Sequence, residues 1–187
     1  MADTLGTLGE LVEAGKVIEI GCSNFTLGQL REAEASSPPG RPGFVSVQNE
    51  YSLLVRQDEL DVLPECERTG LAYLPYFPLY NGLLTGKYRR GDDRPPGTRL
   101  TTASAEQQAR VFSEHNLDVV EALISYASQR GHTILELAFA RLLAHPVLAS
   151  VIAGATSAEQ VAANVAASSW SLTPEEIAEV DSIAPIS

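Results

Sequence analysis

Apolar positions along the chain follow two periods in turn. Leu5, Leu8, Leu11 and Val12 recur at helical spacing and predict a first helix, with Asp3 or Thr4 available to cap it and Gly15-Lys16 at its end. Val17-Ile-Glu-Ile-Gly21 then reads as a short strand, ending in the polar tip Cys22-Ser-Asn-Phe25. Thr26-Leu-Gly-Gln29 is a capping box that opens a helix carrying Leu27, Leu30 and Ala33. Ser36 to Gly43 is a loop by its proline and glycine content.

The same strand-then-polar-tip arrangement returns three times. Phe44-Val-Ser-Val-Gln48 is a strand with the tip Gln48-Asn-Glu-Tyr-Ser52, and a helix of roughly 58–68 follows, in which Pro64 must kink or shorten the run. Gly70 leads into an apolar strand at Leu71 that ends in Pro75-Tyr-Phe-Pro-Leu79. Residues 79–102 form a long loop rich in Gly, Pro, Asp and Arg, the kind usually found functional or disordered. Residues 105–130 are helical in pattern, with a break near His115. Thr133-Ile-Leu-Glu136 caps another helix, stopped by Pro146. Val147 to Ala153 reads as the fourth strand, with the tip Gly154-Ala-Thr-Ser157. Ser157-Ala-Glu-Gln160 is again a capping box, and Thr173-Pro-Glu-Glu176 starts the last helix. Strands alternating with helices predict an α/β fold with a parallel sheet, all four tips on one edge.

Composition changes this picture little. The 187 residues fit a single domain, and 44% hydrophobic with 20% charged residues is ordinary for a globular chain. The net charge of -11 argues against nucleic acid as a partner but leaves room for a local basic site. Lys87, Arg89, Arg90, Arg94 and Arg99 all fall within the 79–102 loop of this acidic chain. Cys22 and Cys66 follow no metal-ligand spacing and read as reduced thiols. With no apolar run of membrane-spanning length and no basic, apolar leader at Met1, a cytoplasmic location is the default expectation.

The strand tips carry the candidate chemistry. Ser23 and Asn24 offer a hydroxyl and an amide that together can hold a carboxamide, or can form an Asx-type turn. Gln48 ends its strand at the matching position. Tyr76 can stack on a flat heterocycle or pack as a core tyrosine. Gly154-Ala-Thr-Ser157 running into a helix N-terminus favours an anion, although any capped helix looks similar. Lys87, after Gly82 and Gly86, can reach a phosphate or remain a solvated loop charge, and Asn164 can reach a base ring or stay exposed. No catalytic acid or base stands out, and no metal set is predicted. His115 and His132 read as surface residues, and His145 as a partner for a helix C-terminus.

Taken together the tips resemble the aldo-keto reductase superfamily, and within it most of all the bacterial general aldo/keto reductases. The resemblance rests on Gly15-Lys-Val-Ile-Glu-Ile-Gly-Cys-Ser-Asn-Phe25, Val47-Gln-Asn-Glu-Tyr51, Pro75-Tyr-Phe-Pro-Leu79 with Gly82-Leu-Leu-Thr-Gly-Lys-Tyr88, and Val151-Ile-Ala-Gly-Ala-Thr-Ser-Ala-Glu-Gln160 with Asn164. It implies a (β/α)8 TIM barrel that transfers hydride between NADP(H) and an aldehyde or ketone. By the same resemblance Ser23, Asn24 and Gln48 hold the nicotinamide carboxamide and Tyr76 stacks on its ring. Phe77, Pro78, Leu79, Gly82 and Lys87 belong to the strap over the pyrophosphate. Gly154, Ala155, Thr156, Ser157, Gln160 and Asn164 surround the adenosine and its 2′-phosphate. Ser157 and Gln160 stand where many members carry Lys or Arg, and Ala163 where Glu usually precedes the Asn, so NAD(H) stays open beside NADP(H). A nearby loop arginine is one way to supply the charge.

A full barrel needs about 250 residues. The chain matches the last four strand–helix units, and the family's catalytic Tyr, Lys, Asp and His have no counterpart in it. The expectation is therefore a truncated or partial member that carries the cofactor half and is inactive alone, with a non-catalytic nucleotide-binding or half-barrel assembly module as the alternative. Four parallel strands do not close a barrel, so a second copy, a partner chain or the other half is expected to cover the open sheet.

Overall fold

The computed structural model describes residues 1–37, 40–91, 97 and 99–186. Pro38 and Pro39 of the expected 36–43 loop, and Arg94 of the 79–102 loop, lie outside these described residues. Three strands, β1 (Ile20–Ser23), β2 (Phe44–Glu50) and β3 (Ala72–Tyr76), form a parallel sheet in that order. Parallel pairing sends their C-terminal ends to one edge, as the alternating pattern predicts. Gly21 is required for this pairing, because a Cβ there would lie 2.4 Å from Ser46 Oγ and 3.1 Å from its carbonyl oxygen. β1 begins three residues later than expected, and Ile18 is almost fully exposed.

The fourth strand is a correction. Residues 147–153 run beside β3 but make only two isolated parallel bridges, Tyr73 with Leu148 and Tyr76 with Ile152. The Tyr73 N–H donates to the Val147 carbonyl at 2.8 Å, and the Ala149 N–H to the Tyr73 carbonyl at 3.2 Å. Two residues further on, the strand period aims Pro75 at the same neighbour, and proline has no N–H to donate. The pairing therefore slips by one residue before the Ile152 N–H reaches the Pro75 carbonyl at 3.0 Å.

Helices follow the sequence signals closely. They are α1 (Ala2–Glu13), α2 (Leu27–Ser36), α3 (Val62–Thr69), α4 (Ala105–Val111), α5 (Glu114–Gln129), α6 (Ile134–Leu143), α7 (Ala158–Ala167) and α8 (Pro174–Ile183). The boxes at Thr26/Gln29, Thr133/Glu136 and Thr173/Glu176 are all formed. That at Ser157/Gln160 is half-formed: Ser157 accepts from the Gln160 N–H, but the Gln160 side chain turns to the Thr156 N–H at 2.7 Å. Neither Asp3 nor Thr4 caps α1, which starts directly after Met1. Pro64 causes no kink. It sits in the first turn of α3, where its missing N–H costs nothing, and the expected helix is instead split at Asp61, after a 3₁₀ turn over Gln57–Leu60. The 79–102 loop is not structureless, since Tyr80–Thr85 and Arg99–Thr102 are 3₁₀ turns.

Alternation along β2 and β3 decides what the sheet buries. Val47 and Tyr73 point to one face and pack, fully buried, against Leu30 of α2, Val62, Leu63 and Cys66 of α3, and Leu142 of α6. Ser46, Gln48, Glu50, Leu74 and Tyr76 point to the other face and stay half-buried, while Gly21 and Ser23 beside them are exposed. Leu74 joins none of the apolar clusters among the described residues. A second cluster joins α5, α6 and α8 to Leu83, Leu84 and Tyr88.

A buried ionic network pins α8 to the segment after β2. Arg56 forms a two-point pair with Glu59, 2.7 Å at each contact, and reaches Asp181 at 2.7 Å and the Ala184 carbonyl. Arg141 reaches the same Asp181 at 2.8 Å and Glu59 at 3.1 Å, and Tyr51 donates to Glu59 at 2.7 Å. His145 lies 2.7 Å from Arg141, so it serves this network rather than only the end of α6. Burial by itself would raise the Glu59 carboxyl, but hydrogen bonds from Arg56, His145 and Tyr51 and the Arg141 charge hold it far below the usual carboxylate range. A depressed folded-state value adds stability above the unfolded value, about 4.3, and loses it as pH falls below that. Urea titrations should therefore show stability falling from about pH 5 downward, with a shallower slope in Glu59→Gln. At neutral pH that variant should lose about 3 kcal/mol, because two buried guanidinium groups lose their shared partner. An unchanged slope and midpoint would contradict the network's role.

Candidate functional site

The open edge of the sheet collects four of the residues singled out by sequence. Asn24, just beyond β1, adopts a left-handed backbone (φ 58°), a conformation that asparagine tolerates better than most residues. Its N–H donates to the Gln48 carbonyl at 3.0 Å, and the Ser23 hydroxyl donates to the same oxygen at 2.8 Å. The Tyr76 hydroxyl, at the end of β3, donates to Asn24 Oδ1 at 2.7 Å. Ser23, Asn24, Gln48 and Tyr76 are thereby tied across all three strands. Among the described residues, neither Asn24 Nδ2 nor the Gln48 side-chain amide has a protein partner, which leaves one NH2 group and one complete amide unpaired at this edge.

Tyr76 is half-buried and its ring packs edge-on against Phe77, 5.2 Å between centroids. Loss of water, then the nearby Glu50 and Asp58 carboxylates, push its phenol upward. A phenol so shifted, with its proton already on Asn24, is a poor acid at neutral pH. Burial pushes the Cys22 thiol up to about 11 and, with help from Asp58, the Cys66 thiol up to about 12, so neither is a thiolate nucleophile. No group of His, Cys, Asp and Glu among the described residues is arranged to hold a metal ion.

The segment expected to form the strap begins where β3 ends. Phe77, Tyr80 and Asn81 all have positive φ (52°, 42° and 57°), a concentration of strained backbone next to Tyr76. Pro78 is buried and Leu79 half-buried, and Leu79 packs on the α5–α6 cluster. Gly82 has φ 92°, and a Cβ on it would stand 3.0 Å from Lys87 Nζ, so the glycine makes the space into which Lys87 folds. Lys87 lies over the Tyr88 ring, 5.1 Å away, and makes no ion pair with a described residue. The loop arginines behave differently. Arg89 pairs with Glu121 at 3.0 Å, and Arg90 with Glu114 and with Asp118, so both are committed to α5.

Gly154, Ala155, Thr156 and Ser157 are exposed and follow directly from the bridge between Tyr76 and Ile152. The start of α7 already carries an anion. The Glu159 carboxyl is drawn below its usual range by its own backbone N–H and by Ser157. Asn164 is half-buried and lines a cavity of 390 Å³ with Ala155, Phe139, Val161 and Val165. No hydrogen bond among the described residues links 79–88 to 154–160, so the structure assembles the first cluster and leaves these two groups separate.

Sequence reasoning missed Asn49 and Asp58. Asn49, buried on the helix-facing side of β2, accepts from the Phe25 N–H at 3.2 Å and donates to the Phe25 carbonyl at 3.0 Å. Its second N–H goes to Asp58 at 2.8 Å, and Asp58 also accepts from the Tyr73 hydroxyl at 2.7 Å. A polar residue at an inward strand position was the available signal.

The aldo/keto reductase family model matches residues 1–185. The chain belongs to the aldo/keto reductase family. It is 33% identical to the protein named "Protein tas" of Escherichia coli K12 over 184 residues, covering 98% of this chain and 52% of the relative. The "Uncharacterized oxidoreductase YrpG" of Bacillus subtilis is 34% identical over 175 residues, covering 93% and 51%. "L-glyceraldehyde 3-phosphate reductase" of Escherichia coli O157:H7 is 28% identical over 186 residues, covering 97% and 53%. The chain thus spans about half the length of the curated relatives it matches. No helix among the described residues is long and apolar enough to cross a membrane.

Gly82 offers a direct test of the strap. Gly82→Ala forces a left-handed alanine and moves Lys87, so it should cost about 1–2 kcal/mol in a urea titration. A cost near zero would show that the strap does not depend on this turn.

Proposed function

We propose that this chain is the cofactor-holding part of an NADP(H)-dependent aldo/keto reductase, corresponding to the last four strand–helix units of a (β/α)8 barrel, with 147–153 in the place of the fourth strand. One observation carries the reading: the Tyr76 hydroxyl is held on Asn24 Oδ1, which leaves Asn24 Nδ2 and the Gln48 amide without a protein partner on the open sheet edge. A nicotinamide is a flat ring bearing a carboxamide. Asn24 Nδ2 can donate to its oxygen, and the Gln48 amide can both donate and accept. The hydrogen bond to Asn24 fixes the tilt of the Tyr76 ring, and Phe77 supports its edge. When bound, the dinucleotide supplies the hydride for reducing an aldehyde or ketone.

The phosphate end fits more loosely. Lys87 is the strap cation positioned to turn toward a pyrophosphate, while Arg89 and Arg90 are held by α5. Glu159 opposes an added anion at the start of α7, and Ser157 and Gln160 bring no positive charge. This favours modest discrimination between NADPH and NADH.

Proton transfer to the carbonyl is assigned to groups outside the described cluster, because Tyr76 is a weakened acid and both thiols are pushed up. The half-buried sheet face with Gln48, Leu74 and Tyr76 is then the barrel interior, open toward the remaining units. A non-catalytic nucleotide-binding module is the second reading, and the raised Tyr76 phenol and Cys22 and Cys66 thiols favour it.

Two measurements on the purified 187-residue chain test the proposal. NADPH should quench protein fluorescence saturably, and Tyr76→Ala should weaken binding about tenfold, the worth of one aromatic stack. The chain should not oxidise NADPH with a reactive aldehyde. Turnover would overturn the assignment of the acid elsewhere, and absence of binding by folded protein would overturn the cofactor reading.

A further inference from the structure

Packing holds only one side of the turn that carries Asn24, where the Phe25 ring meets Phe44 edge-on, 5.7 Å between centroids. Asn24, Phe25 and Thr26 line a cavity of 490 Å³ whose far wall is Gln57, Asp58, Leu60, Asp61 and Val62. A left-handed residue beside such a space needs another restraint to keep one conformation. Asn49 supplies it. Its side-chain amide pairs with both backbone groups of Phe25, two residues beyond the end of β1, as a neighbouring strand would. The remaining amide N–H is taken by Asp58, across the cavity. Because the Asp58 oxygen accepts only, it selects the amide orientation in which Oδ1 meets the Phe25 N–H and Nδ2 meets the Phe25 carbonyl. Tyr73 holds that oxygen from β3 at 2.7 Å.

We infer that Asn49 and Asp58 are positioning residues for the nicotinamide end of the cofactor, an inference that rests on the function proposed above. The path is short. Asp58 orients Asn49, Asn49 pins Phe25, and Asn24 is then fixed between Phe25 and the Gln48 carbonyl. Asn24 in turn receives the Tyr76 hydroxyl and sets the ring that is to stack on nicotinamide. Neither Asn49 nor Asp58 faces the open edge, so neither touches the ligand. Losing the restraint releases the turn and leaves the adenosine end at 154–164 alone.

The test compares two ligands on the full chain. NADPH reports both ends of the site, and 2′,5′-ADP, which lacks nicotinamide, reports the adenosine end only. Asn49→Ala and Asp58→Ala should each weaken NADPH about tenfold, the value of one lost preorganising hydrogen bond, and leave 2′,5′-ADP unchanged. Asp58→Asn, which keeps an accepting oxygen for Asn49, should restore NADPH affinity. Circular dichroism checks folding, and if Asn49→Ala fails to fold, Asp58→Ala against Asp58→Asn decides. Equal loss of both ligands, or NADPH binding unchanged in folded variants, would overturn the positioning role while leaving the cofactor reading intact. Wild-type protein that binds neither ligand would overturn both.

Discussion

The carbonyl oxygen of Gln48 is the point on which the candidate site depends. It accepts the Asn24 N–H and the Ser23 hydroxyl, closing the end of β1 onto the end of β2. Parallel pairing of β2 with β3 then brings Tyr76 opposite Glu50, within reach of Asn24. A one-residue slip of β3 against β2 would turn the Tyr76 ring to the helix-facing side and bury it. Gly21 sits where the β1–β2 register shifts by one residue, and only a residue without a side chain lets β1 approach Ser46 so closely there. Local backbone chemistry at one glycine and one asparagine thus sets the geometry of a site built from three strands.

Much of this was legible in the sequence because it is encoded locally. Capping boxes at Thr26 and Thr133 mark helix starts through short-range hydrogen bonds, and the structure forms both. The strand tips follow from alternation and from turn residues placed after apolar runs. What escaped is set by distant partners. Pro75 lies in β3, yet its effect appears in the broken pairing of 147–153, on a different segment. Gln160 looked like the acceptor of a capping box, but Thr156 competes for it successfully. Asp58 read only as the start of a helix, because its partners Asn49 and Tyr73 come from two strands. Arg89 and Arg90 read as part of a local basic site by composition, and their carboxylate partners on α5 became visible only in three dimensions.

The stability of the chain and its candidate function are separated in space. The ionic network of Arg56, Glu59, Arg141 and Asp181 and the fully buried Val47 and Tyr73 lie on the helix-facing side of the sheet. Gln48, Leu74 and Tyr76 lie on the opposite face, which no apolar cluster of the described residues covers. The buried network and the candidate site thus occupy opposite faces of one sheet.

Hydrogen exchange read by mass spectrometry, with and without NADPH, tests the central claim most directly, because it locates binding along the backbone. The account predicts added protection in peptides covering 21–26, 47–51, 73–88 and 152–164, with α1 and α8 unchanged. Protection confined to other segments, or none at saturating cofactor, would contradict it.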